Sequence, residues 1–356
     1  MRLASAGCST PRNERMPENP QVAVNRPVLA FGLLAAVAVL VVLTVLSFTV
    51  GSVSVPARAA YDALFNFDPT NNQHIIVRDM RLPRTVIGLL AGAALGLSGA
   101  VMQGLARNPL ADPGILGVNA GAALFVVCGI SVFGVVSVTG YVWFGFVGAA
   151  AAAILVYRIG AMGRDGATPV KLALSGAATS AALASLTTAI LLTDTEAFDR
   201  FRFWQVGSLA GRDLGVVARA LPFLAVGAVL ALICGRLLNA LSLGDDVAQS
   251  LGVNVKAGQA FAALGVVLLC GTATALAGPI AFIGLAVPHA ARMITGPDYR
   301  WILPFSMVLA PSLLLGSDIV GRIITSPGEV QVGVVTAVIG APIFIALVRR
   351  RKLAEL

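Results

Sequence analysis

Long apolar runs broken by short polar punctuation make up most of this chain. Thr85–Ala106 carries no charged residue, and neither does Pro113–Tyr157. A helix that crosses a bilayer needs about 20 mostly apolar residues. Val28–Val50, Thr85–Ala106, Trp301–Ser317 and Val330–Val348 each supply one span. The 113–157 run is too long for one helix and has to turn. "SVTG" at 137–140 is the expected place, giving spans near 115–136 and 141–158. Ala257–Ala291 is also too long, and Gly278-Pro279 divides it. Lys171–Thr193 and about Val216–Leu238 complete the set. The pattern predicts an all-α membrane protein: a polytopic bundle of ten transmembrane helices over residues 28–348, with both termini on one side.

Composition agrees. Of 356 residues, 57% are hydrophobic and 12% charged. Soluble domains carry about 25% charged residues, so this chain cannot cover a water-facing surface. A net charge of +8 invites a nucleic-acid partner. That partner is excluded, because the basic residues sit in the gaps between apolar segments and form no basic domain. Residues 1–27, polar and holding Pro11, Pro17 and Pro20, read as a disordered cytoplasmic tail. Residues 349–356 read as a basic cytoplasmic tail. With both termini inside, sixteen Lys and Arg fall inside and nine outside, the order the positive-inside rule favours. The two tails supply the whole excess, so the outer arginines need an explanation of their own.

Two segments are too short or too polar to span. "FRFWQVGSL", 201–209, follows the acidic "TDTEAFD" and predicts a short amphipathic helix at the outer interface. "SLGDDVAQSLGVNVKAG", 242–258, lies inside, between the sixth and seventh spans. Asp245 is expected to cap a short helix there that ends near Gly252.

"NPLADPGILGVNAGA", 108–122, separates the second and third spans. Asn108-Pro109 stops the incoming helix, since a residue before proline avoids the helical region. Asp112-Pro113 caps and starts the next one. "GLLAGAALGLSGA", 88–100, sets Gly88, Gly92, Gly96 and Ala100 four residues apart, one smooth face for close helix contact.

Reactive groups are sparse. The chain has no GxxxxGK[ST] phosphate loop, HExxH or GxSxG. Cys8, Cys128, Cys234 and Cys270 form no CxxC pair, and His74 and His289 lie far apart. No metal site and no catalytic constellation is expected. "SGAATSAALASLTT", 175–188, is rich in hydroxyls and small side chains. Two readings of it stay open: a pathway lining, or packing with hydroxyls bonded to their own helix.

"RLPRTVIGLLAGAALGLSGAVMQGLARNPLADPGILGVNAGA" resembles the FecCD family, the permease subunits of ABC importers for iron–siderophore complexes, haem and vitamin B12. The likeness continues in "FRFWQVGSLAGRD", "LNALSLGDDVAQSLGV", "GPIAFIGLAVPHAAR", "PDYRWILP", "SDIVGRII" and "PGEVQVGVVTAVIGAPIF". It runs in order from about residue 30 to 350. Within the family the chain is most similar to the ferric-enterobactin type.

The resemblance implies a type II importer permease with ten helices, in a bacterial cytoplasmic membrane, that is not itself an enzyme. The implied partners are a second permease subunit (a copy or a paralogue), two cytoplasmic ATPase subunits that hold ATP and Mg, and an extracytoplasmic binding protein. The cargo would be a ferric siderophore, of catecholate type. Haem or cobalamin is the alternative cargo, and a self-sufficient secondary carrier the alternative mechanism. Asp245, Asp246, Val247, Leu251 and Gly252 match the family's ATPase-coupling segment. The family's inner gate falls at about Ala167–Lys171, here with Thr168, Pro169 and Lys171. Its pathway follows the fifth and tenth helices, bringing in Ser175 and Thr179. Arg81, Arg84 and Arg322 match the arginines that receive binding-protein glutamates. Lipid anchoring, or a local bond between Arg322 and Asp318 one turn back, would also account for them.

Overall fold

The computed structural model describes residues 26–162, 168–326 and 328–354. Residues 1–25 of the expected N-terminal tail, 355–356 of the expected C-terminal tail, and Ala167 in the expected gate lie outside these. The helices run α1 (Arg26–Thr49), α2 (Ala57–Phe65), α3 (Asn72–Ile75), α4 (Leu82–Leu105), α5 (Val118–Ser131), α6 (Val138–Gly160), α7 (Pro169–Thr193) and α8 (Thr195–Gln205). They continue as α9 (Leu214–Ile233), α10 (Gly235–Leu241), α11 (Asp245–Ser250), α12 (Val255–Ala277), α13 (Ile283–Thr295), α14 (Tyr299–Ile324) and α15 (Val332–Ala354). A π-helical stretch, Ile76–Arg81, joins α3 to α4, and a 3₁₀ turn, Pro113–Leu116, precedes α5.

Among the described residues, seven helices are long and apolar enough to cross a membrane. The expected third, eighth and tenth spans are shorter. Val118–Ser131 has 14 residues, Ile283–Thr295 has 13, and the apolar part of α15 is Val332–Ala346. Other bounds move for local reasons. The second span extends back without a break to Asn72. The ninth runs to Ile324 through Pro304 and Pro311. The sixth divides into α9 and α10 at Cys234. Ser137 caps α6 by accepting from Gly140 N, so the turn ends where "SVTG" begins. The short helix expected over 201–209 is Thr195–Gln205, because Asp194 caps it by accepting from Ala197 N.

The break at 108–122 follows its residue types. Asn108 accepts from Leu110 N at 2.9 Å and Asp112 from Gly114 N at 2.7 Å. Gly117 takes φ 73° to end the 3₁₀ turn, a conformation glycine adopts without Cβ strain. This detour uses residues a full span would need, and α5 is short in consequence.

α4 is the central strut: 78% of its most apolar window is buried, against 17% for α7. A Cβ on Gly92 would lie 2.5 Å from Pro311 Cα, and one on Gly96 2.3 Å from Ser306 O, both on α14. One on Gly99 would meet Gly284 O of α13 at 1.9 Å. The backbones touch directly along the expected small-residue face. Glycine inside a helix costs about 1 kcal/mol relative to alanine, which this close dispersion contact offsets.

Candidate functional site

Three surfaces carry the unusual residues. The first is a charged cluster where α1 ends, α4 begins and α14 ends. Arg84 Nε and Nη2 donate to Asp318 Oδ1 at 3.0 and 2.8 Å, and its Nη1 donates to Glu329 Oε2 at 2.6 Å. Arg322 Nη2 donates to Asp318 Oδ2 at 3.0 Å and to Ser47 Oγ at 2.9 Å. Its Nη1 donates to the carbonyls of Ser47 and Val50 at 3.0 and 3.1 Å. Arg81 donates to Phe48 O at 2.6 Å and to Val53 O.

The three expected docking arginines therefore meet, but not as an open positive surface. Arg81, Arg84 and Arg322 are 5, 9 and 2% exposed, and their donors mostly serve the chain's own carboxylates and carbonyls. The local Arg322–Asp318 bond is present. The sequence offered Asp318, fully buried, only as a local partner of Arg322; that it also receives Arg84, and that Glu329, whose side chain is 35% exposed, joins the cluster, it did not single out. The available signal was that Asp318 is the lone acidic residue in the 26-residue helix α14. A carboxylate inside an apolar span is costly unless paired.

The second surface borders α7. Ala177, Ala181, Ala184, Ser185 and Thr188 form an exposed stripe of small side chains. Ser175 and Thr179 point elsewhere: both are buried. Ser175 Oγ donates toward Val156 O of α6 at 3.2 Å and Leu172 O at 3.1 Å. Next to it, a Cβ on Gly176 would meet Ile115 O at 1.7 Å. This face of α7 packs against α6 and the 3₁₀ turn, so the two hydroxyls do not line an open passage in this conformation. Ser185 and Thr188 bond to carbonyls four residues back, as the packing reading expects. Thr168 caps α7 by accepting from Lys171 N at 3.3 Å, and Pro169 is the first helical residue.

Toward its C-terminal end, α7 forms with α5, α8 and Pro279 a cavity of about 460 Å³. Its polar groups are Asn119, Thr187, Thr188 and Gln205; the rest of the wall is apolar and no charged residue lines it. Asn119 Oδ1 accepts from Thr274 at 3.0 Å, which fixes its amide. In the segment between α8 and α9, Arg212 donates to Leu276 O at 3.0 Å, and burial pushes its guanidinium down to about 10, so it stays charged at neutral pH.

The third surface is at the opposite end. Residue Gly244, at φ 109°, precedes α11, and Asp245 is its first residue rather than its cap. Free of capping, Asp245 pairs with Arg107. Gly252, at φ 80°, follows the helix, and Asn254 caps α12 by accepting from Ala257 N. Ala248 is buried against Leu241 and Val255, while Asp246, Val247, Leu251 and Gly252 are exposed. The segment is anchored on one side and open on the other.

Residues 39–350 match the FecCD transport family. The chain belongs to this family. It is 48% identical over 331 residues to the ferric enterobactin transport system permease protein FepD of Escherichia coli K12, covering 93% of this chain and 97% of that one. It is 45% identical to the probable siderophore transport system permease protein YfiZ of Bacillus subtilis 168, over 82% of this chain and 88% of that one. With the cobalamin import system permease protein BtuC of Halobacterium salinarum it shares 38% identity, over 83% and 79%. Among solved structures, a metal-chelate type ABC transporter in an inward-facing conformation superposes with a TM-score of 0.78 at 29% identity, covering 91% of this chain and 99% of that one. The short helices and breaks described above thus belong to a FecCD fold.

Proposed function

We propose that this FecCD chain is the membrane-spanning permease subunit of an ATP-driven ABC importer that takes up a ferric siderophore, of catecholate type. The observation that carries this is the near full-length 48% identity to a ferric enterobactin permease. Haem or cobalamin is the alternative cargo; the cobalamin relative shares 38%, against 48 and 45% for the enterobactin and siderophore relatives. The chain binds no nucleotide itself in this reading. Two ATPase subunits on the inner side hold ATP and Mg.

α11 supports the coupling role. Val247 and Leu251 are apolar yet 45 and 63% exposed, on a helix tethered by Ala248 and Asp245. These two, with Asp246 and Gly252, dock on the ATPase. The exposed stripe of α7 faces a second permease subunit across the pathway, and Thr168, Pro169 and Lys171 form the gate at its inner end. Cargo delivered by a binding protein needs little affinity in the wall, which suits the uncharged cavity by α8. On the outer side, the binding protein lands over Arg81, Arg84 and Arg322. A partner carboxylate reaches that cluster by displacing Glu329 from Arg84, its most exposed contact.

The test is growth on a ferric catecholate as sole iron source, with and without the gene. Loss of growth that the intact gene restores is expected. Normal growth alongside lost haem or cobalamin uptake would overturn the cargo.

A further inference from the structure

At the α11 end of the bundle, the last turn of α4, the residue after α10, and α13 and α14 line an open polar cleft of about 200 Å³. At about 30 Å³ of liquid volume per water, it has room for a small polyatomic anion. Arg107, Asn108, Ser242, Arg292, Tyr299 and Gln103 line it. The two arginines are not balanced alike. Arg107 pairs with Asp245, and its backbone sits at φ 48°, in the left-handed region. Among the described residues no carboxylate pairs with Arg292. Its one partner is the Tyr299 hydroxyl, and its Nε is buried without an acceptor. Gln103 is 1% exposed; its Nε2 donates to Leu285 O at 3.0 Å, and its Oε1 is buried without a donor. An arginine with one unmatched nitrogen and a glutamine with an unmatched acceptor thus line the same space.

The geometry points to a binding site for a hydrogen phosphate group, with its anionic oxygens on Arg292 and Arg107 and its P–OH donating to Gln103 Oε1. A guanidinium fork suits phosphate oxygens. The unmatched acceptor selects an anion that still carries a proton, as hydrogen phosphate does and sulfate does not. A phosphate drawing on Arg107 also competes with Asp245 for it. Occupancy therefore loosens the tether of α11, whose coupling role rests on the reading above. The phosphate group could come from free inorganic phosphate or from the monoester headgroup of phosphatidic acid.

The test needs the full chain only, with no transport step, so its outcome is independent of the cargo. Delipidated chain in detergent is titrated with inorganic phosphate and with sulfate, and the chain in phosphatidylcholine nanodiscs with and without phosphatidic acid. Saturable phosphate binding is expected, at least about tenfold tighter than sulfate, a difference of about 1.4 kcal/mol. Arg292→Gln should lose most of it. Arg292→Lys, which keeps the charge and lacks the fork, should fall between and shows that the site tolerates change. Asp245→Asn should bind more tightly than wild type, because Arg107 is released; a purely structural role for Arg107 would not do this. Binding confined to the phosphatidic acid nanodiscs, with the same ranking of variants, assigns the lipid source. Absence of saturable binding in both settings overturns the site, as does equal affinity in wild type, Arg292→Lys and Asp245→Asn.

Discussion

Arg84 and Asp318 stand 234 positions apart in the chain and meet in a two-pronged contact, Nε and Nη2 on one carboxylate, at 3.0 and 2.8 Å to Oδ1. Asp318 also holds Arg322 at 3.0 Å. One buried carboxylate therefore fixes the start of α4 to the end of α14, and Arg322 carries the link on to the end of α1.

This predicts unequal costs for the two acids of the cluster. Removing one partner of a buried pair costs about 3–5 kcal/mol, so Asp318→Ala, which strands two arginines, should lower thermal stability in micelles severely. Glu329→Ala removes a partner that is part-exposed, and exposed pairs are worth about 0–1 kcal/mol. Its unfolding midpoint should stay close to wild type. Equal losses would show that Asp318 is not the shared anchor.

The glycine face yields a second contrast. Gly99→Ala places a methyl 1.9 Å from Gly284 O, and Gly92→Ala one 2.5 Å from Pro311 Cα. Overpacking of this kind costs about 1–3 kcal/mol. Gly316, also helical, has nothing within 4 Å of a Cβ, so Gly316→Ala should stabilise by up to about 1 kcal/mol. Thermal unfolding of the three variants checks the order; a Gly99→Ala protein as stable as Gly316→Ala would contradict the direct backbone contact.

These contrasts also mark what was legible. Charge-free runs set most of the helices, because a bilayer demands length and apolarity together. The four-residue spacing of Gly88, Gly92 and Gly96 gave their shared face, since helical period alone decides it. Asn108-Pro109 and Asp112-Pro113 marked the break through local backbone rules. Tertiary facts were out of reach. Nothing near Arg84 announces a carboxylate so far along the chain. Hydroxyls at Ser175 and Thr179 do not reveal which side of α7 will be covered. Gly244 and Asp245 both suit a helix start, and only the fold assigns Asp245 to Arg107 instead.

α11 provides the third prediction. Val247→Asp with Leu251→Asp changes two exposed side chains, so folding should be unaffected while co-purification with the ATPase is lost. Ala248→Asp, at a buried position, should disturb the segment itself. Unchanged assembly and uptake in the double variant would leave α11 a plain solvated loop.

The arginine cluster provides the fourth. Glu329→Gln frees Arg84 Nη1 of its exchangeable carboxylate and should tighten binding-protein docking. Arg84→Glu should weaken it by about 2–5 kcal/mol if a buried interface pair forms there. Affinities are measured on the reconstituted transporter, with a folding check by thermal unfolding. Values for Glu329→Gln and for folded Arg84→Glu within about threefold of wild type, under 1 kcal/mol, would make the cluster purely structural.

In the proposed function, this chain forms the passage and a separate ATPase drives it. Uptake of a radiolabelled ferric catecholate into proteoliposomes tests it most directly, with the binding protein and cargo on the outer side and ATP at the ATPase-binding side. Uptake should require the chain, its permease partner, the ATPase and hydrolysable ATP together. ATP-driven uptake by the chain without the ATPase, or uptake driven by an ion gradient alone, would contradict it.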